Sequence, residues 1–382
     1  ITEFKQVLIL KEYTNFNYKN TFTNEIKNSG DAINQVYSNG YAFAALKPDG
    51  SVSVWGNTSY GGSGIYSVIT PNQSNPIVKV YTTIGAFAAL RQDGTVSTWG
   101  DSSYGSSSHP DVSSGGFVVD KIYPNLRSFA ALLNNGTVRV WGDTNFGGDQ
   151  SQVDNMGLSN ALMSNLVVKI YSTYRAFAVL LNNGTVRVWG DPSYGGDQSQ
   201  MTTLGLLYAS NPANPVVKIY STSYAFAALR QDGTVRVWGN PNYGGDQSQV
   251  TTLGLHTASN PANPVKKIYS NYRAFAALLD DGTVKVWGLG GGDQTHVTAL
   301  GLHIASSNPV VKIYSTYGAF AALLKDGTVK VWGQTDDGDQ TNVTALGLHT
   351  ASSNPVVKIY STSNTFAALR QDGTVSVWGS NY

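Results

Sequence analysis

Five copies of a Gly-Asp-Gln-Ser/Thr tetrad set a carboxylate beside an amide at regular intervals along this 382-residue chain: Asp149-Gln150, Asp197-Gln198, Asp246-Gln247, Asp293-Gln294 and Asp339-Gln340. With Phe146, Tyr194 and Tyr243 just upstream, these groups could bind a glycan. The acid and amide would take hydroxyl hydrogen bonds while the aromatic side chain stacks on a sugar face. The same spacing has a structural reading, because an Asp ahead of a polar run accepts backbone N–H bonds in an Asx turn. Duplication in five successive units favours the structural reading, since such a residue serves what every unit needs.

The same five units carry a cation two residues before a tryptophan, at Arg139, Arg187, Arg236, Lys285 and Lys330, where the other three have Ser53, Ser97 and Ser376. Pairing with an acid of the same or the neighbouring unit is expected, rather than a basic arc for anions. A second lysine series, Lys79, Lys121, Lys169, Lys218, Lys267, Lys312 and Lys358, is expected to lay its stems along an outer strand with the ammonium in water. There are only five histidines, and His256, His303 and His349 sit at equivalent positions in different units, which predicts surface loops rather than one metal site. No phosphate loop, nucleophile elbow, zinc-protease motif or linear calcium loop is present. The expectation is a non-enzymatic protein with no catalytic residue, cofactor or metal.

Composition narrows the partners. Twenty-five basic residues balance 24 acidic ones, and charged residues are 13% of the chain, so neither nucleic acid nor an anionic membrane is an expected partner. Cysteine is absent, which leaves the redox compartment open. No apolar run reaches the roughly 20 residues that span a bilayer. The opening Ile1 and the short apolar run at 7–10 predict a processed or excised segment rather than an intact precursor.

The elements that hold these residues are set by the tryptophans. All eight, Trp55, Trp99, Trp141, Trp189, Trp238, Trp287, Trp332 and Trp378, end one repeated phrase of the type Ala-Phe-Ala-Ala-Leu, Asp/Asn-Gly, Val-x-Val-Trp-Gly, and they recur every 42 to 49 residues. The Asp-Gly and Asn-Gly pairs predict two-residue type I′ turns, hence eight β-hairpins. A preceding β-branched stretch such as Val216-Val217-Lys218-Ile219-Tyr220 adds a third strand to each. The fold expected is an all-β β-propeller over 36–382, with eight blades, or seven plus a partial unit as the alternative. Residues 1–35 precede the repeat, and a strand near 4–10 is expected to close the ring against the last unit.

The phrase Ala-Leu-x-x-Asp-Gly-x-Val-x-x-Trp-Gly resembles the repeat of the regulator-of-chromosome-condensation family of β-propellers. It is closer still to that family's bacterial secreted branch, which includes the propeller-type β-lactamase inhibitory protein. The resemblance spans roughly 34–382. The chain departs from the family in having Phe43 and its seven equivalents where His is frequent, and Gly-Asp-Gln-Ser/Thr where Gly-Gln-Leu-Gly is usual. It implies an extracellular or cell-surface module that binds a protein or glycan or assembles with itself. The alternative is a multivalent lectin using the Asp-Gln loops with Tyr194 and Tyr243.

Overall fold

A computed structural model describes residues 33–63, 74–107, 118–160, 165–207, 214–257 and 263–380. The strand expected near 4–10 lies outside the described residues.

Each tryptophan phrase folds as its own antiparallel sheet of three strands in chain order, giving eight blades, numbered here in the order of their tryptophans. Blade 5 is typical, with strands Val216–Ser221, Ala225–Arg230 and Val235–Gly239. Its register sets Phe226 opposite Trp238, and the two side chains stack with centroids 5.3 Å apart. That pair recurs in every blade, from Phe43 on Trp55 at 5.4 Å to Phe366 on Trp378 at 5.4 Å. Eight full three-stranded sheets exclude seven plus a partial unit, and they place the chain in the all-β, β-propeller class.

The hairpin turn differs in type from the one expected. Arg230 N–H donates to Thr234 O and Gly233 N–H to Arg230 O, so the loop holds three residues and the glycine carries the positive φ, at 80°. This is a turn followed by a bulge rather than a two-residue type I′ turn. The threonine after the glycine explains the choice, because Asp232 Oδ1 accepts from both Thr234 N–H (2.9 Å) and Thr234 Oγ1–H (2.7 Å). Those bonds stabilise the longer loop, and Asp-Gly alone could not distinguish the two turns.

The chain divides into two compact units, one of residues 1–182 with 187–192, the other of 183–186 with 193–382. Within each, the core lies between consecutive blades. In the second unit, Phe275, Ala277, Leu279 and Trp287 of blade 6 pack on Ala225, Ala227, Leu229, Val235 and Val237 of blade 5. In the first, Phe177, Val179 and Trp189 of blade 4 meet Ala130, Leu132, Val138 and Val140 of blade 3. The middle strand is therefore apolar on both faces, as a sheet buried on both sides requires. Small residues permit the close approach: a Cβ on Gly195 would stand 2.8 Å from the Phe226 ring. The positions equivalent to buried Val329 and Val331 are exposed in blade 8, at Val375 and Val377.

Candidate functional site

The Asp-Gln inserts form short helices after Trp-Gly, such as Gln247–Thr252, and both side chains have backbone partners. Asp149, Asp246, Asp293 and Asp339 are N-caps whose Oδ1 accepts from the N–H two residues on, at 2.8–3.0 Å. Asp197 Oδ1 accepts from both Ser199 N–H and Oγ–H, while Gln198 makes no cap bond. Hydroxyl and then N–H donation from Thr295 and Thr341 holds the Asp293 and Asp339 carboxyls below the usual carboxylate range. Gln150, Gln247, Gln294 and Gln340 turn Oε1 onto the outer edge of the third strand, accepting from Val140, Val237, Val286 and Val331 N–H at 2.8–2.9 Å. In the second unit the Gln247–Thr252 helix and the turn after it also place apolar side chains, Val250 and Leu255, in the core between blades 5 and 6.

Four of the cations before tryptophan, Arg139, Arg236, Lys285 and Lys330, donate to carbonyls. Arg236 Nη1 donates to Val235 O and His256 O, and Lys285 Nζ and Lys330 Nζ donate to Leu253 O and Leu300 O at the C-terminal ends of preceding insert helices. A helix end leaves its last carbonyls without intrahelical partners and carries partial negative charge, so a cation there needs no carboxylate. This corrects the expected acid pairing and explains why cation and insert occur together. The second lysine series belongs to the first strands, which lie beside the first strands of neighbouring blades in each unit. Each lysine lies over the tyrosine two residues on, Lys218 over Tyr220 at 5.1 Å and Lys358 over Tyr360 at 4.4 Å. Among the described residues no group of His, Asp and Glu could hold a metal ion.

The richest display of recognition chemistry lies elsewhere, where the loop before the second strand meets the turn after Trp-Gly. That turn is a single 3-10 turn ending on an aromatic residue in blades 1 to 5, as in Thr58–Tyr60 and Pro241–Tyr243. Its asparagine or aspartate cap, Asn57 or Asn240, accepts from the N–H two residues on. The facing loop supplies residues that change from blade to blade: Tyr41, Gly85, Arg127, Arg175, Tyr224, Arg273, Gly318 and Asn364.

In the first unit Tyr41 stacks on Tyr60 at 4.1 Å, Arg127 lies between Tyr104 (4.8 Å) and Phe146 (4.9 Å), and Arg175 covers Phe146 at 4.7 Å. In the second, Tyr224 is flanked by Tyr194 (5.1 Å) and Tyr243 (4.4 Å) and shares a 2.8 Å hydroxyl bond with Tyr272. Burial, with that bond, pushes the Tyr224 hydroxyl well above its ordinary pKa. Tyr272 stacks on Tyr317 at 3.9 Å, and Arg273 lies over Tyr243 and Tyr272. The sequence pointed to Tyr194 and Tyr243, which this cluster brings together. It missed Tyr224, Tyr272, Arg273 and Tyr317, although their variation against an otherwise constant phrase was a readable signal.

No protein-family model matches the chain, and no curated protein sequence matches it. Solved structures similar to it include yeast RCC1 (Prp20) bound to Kap60, at 15% identity, TM-score 0.41, over 92% of this chain and 81% of that one. Human WBSCR16 is similar at 16% identity, TM-score 0.40, over 90% and 88%. The ectodomain of the Physcomitrella patens receptor kinase CR4 is similar at 16% identity, TM-score 0.37, over 92% and 74%.

Proposed function

We propose that the chain is a non-enzymatic, extracellular or cell-surface module that binds a protein through its tyrosine–arginine surface. The observation that carries this reading is the cluster of Tyr194, Tyr224, Tyr243, Tyr272 and Tyr317 around Arg273 in the second unit. Tyrosine and arginine are among the residues enriched in protein interfaces and their hot spots, because each offers a large apolar area with a polar end. The placement outside the cell rests on the likeness of the repeat phrase to the secreted bacterial branch.

Glycan recognition by Tyr194 and Tyr243 with the Asp-Gln loops is the second reading, and it is favoured by the nearness of both rings to one another across Tyr224. Against it, stacking occupies both faces of Tyr224, and the Asp Oδ1 and four of the Gln Oε1 atoms accept backbone bonds. Screening a protein-display library and a glycan array with parent, Tyr243→Ala and Tyr317→Ala proteins separates the two. A protein ligand lost with either substitution supports the proposal; glycan binding lost with the same substitutions overturns it.

A further inference from the structure

Two arginines of the first unit have a carboxylate in reach. Arg127 and Arg175 each precede a second strand, and each faces the aspartate that follows Trp-Gly: Arg127 to Asp143 at 3.6 Å, Arg175 to Asp191 at 3.5 Å. Blade 6 repeats the arginine and omits the acid. There Arg273 faces Leu289. The backbone matches in all three blades, since Leu289 N–H donates to Arg273 O as Asp143 N–H does to Arg127 O and Asp191 N–H to Arg175 O, at 2.9–3.1 Å. Residue 289 therefore stands where the aspartates stand, yet it is a leucine left 50% exposed.

The guanidinium is held ready all the same. It lies over the Tyr243 ring at 5.2 Å and the Tyr272 ring at 5.1 Å. Its Nε is buried without a hydrogen-bond partner, and among the described residues Arg273 has no ion-pair partner. A buried donor left unpaired costs free energy that an arriving acceptor recovers. The aromatic turn that follows Trp-Gly in blades 1 to 5 is also missing here, and Gly290-Gly291-Gly292 runs from Leu289 to Asp293 with no side chain. A missing acid and an unmatched donor thus coincide.

We propose that Arg273 is a carboxylate site, filled by an aspartate or glutamate side chain of the protein partner in the place that Asp143 and Asp191 hold in their own blades. A guanidinium stacked on aromatic rings is weakly hydrated and keeps its planar fork oriented, which suits a carboxylate and not a neutral amide. The carboxylate chemistry stands on blade 6 alone; its assignment to a protein partner rests on the function proposed above.

The test is NMR of the arginine side-chain Nε–H signals in the folded chain, with Arg273 assigned by Arg273→Lys. N-acetyl-aspartate methylamide is titrated beside its asparagine counterpart and beside glucuronate. The aspartate probe is expected to shift the Arg273 signal saturably, about tenfold more tightly than the asparagine probe, and to leave Arg127 and Arg175 unmoved. Leu289→Asp, which supplies the missing acid from within, is expected to abolish the response, while Leu289→Asn preserves it. Equal response to the two amino-acid probes, no response, or an unchanged response in Leu289→Asp overturns the site. Tighter binding of glucuronate overturns the assignment to a protein side chain. A protein partner captured through Tyr317 and indifferent to Leu289→Asp overturns the carboxylate site and leaves the protein-binding function standing.

Discussion

The space between blades and the surface formed by the turns are built from the same eight repeats but follow opposite rules. Between blades the phrase hardly changes: Phe226 stacks on Trp238 in blade 5 as Phe275 does on Trp287 in blade 6, and all four side chains are fully buried. On the turn surface the residue before the second strand runs through Tyr, Gly, Arg and Asn. Repetition marks what each blade needs in order to pack on its neighbour. Variation marks what a single blade adds, and the loss of the Arg–Asp pairing at Arg273 is the sharpest instance.

The packing half of this contrast should yield the largest effects. Trp238→Ala removes a buried ring from the second unit and is expected to cost about 3–5 kcal/mol, read as a lowered urea midpoint. Gly195→Ala comes next, at about 2–4 kcal/mol, because the residue has a φ of +94° and its Cβ would clash with Phe226. Gly205→Ala is its control: φ is +67° but open space surrounds the Cβ, and only the backbone strain of about 1 kcal/mol remains. Equal losses at the two glycines would break the packing argument.

Arg236→Ser tests the insert, whose His256 carbonyl the cation bonds. A loss of about 1–3 kcal/mol is expected from the two charged hydrogen bonds, with binding unaffected in the folded protein. Acid gives a smaller effect. The Asp293 and Asp339 carboxyls have folded pKa values below their unfolded ones, so their contribution is fully present above about pH 4 and is lost as pH falls through the folded values. The urea midpoint should drop as pH falls below about 4, and the drop should be shallower in the Asp293→Asn, Asp339→Asn double variant.

The packing half was legible in the sequence because it repeats. Eight Trp-Gly phrases and eight Asp/Asn-Gly turns specify strands, hairpins and blade count, and only the turn type was misjudged, since Thr234 acts through a side-chain bond that a dipeptide rule omits. The Asp-Gln tetrads were visible too, but a residue pattern does not reveal that Gln247 reaches back ten positions to Val237 N–H. Lys285 illustrates the same limit: an acid partner is the natural guess for a cation, and the helix-end carbonyl of Leu253 that wins depends on where the insert folds. The tyrosine–arginine cluster was hardest to see, because its members come from two loops of each blade and from consecutive blades, such as Tyr243, Tyr272 and Tyr317.

Parallel urea unfolding of Trp238→Ala and Tyr317→Ala tests the division of labour most directly. The account predicts a large loss for the tryptophan variant and a loss of about 1 kcal/mol for the tyrosine variant, the worth of one aromatic stack. Losses of equal size would contradict it, placing Tyr317 among the residues that hold the blades together rather than among those that face a partner.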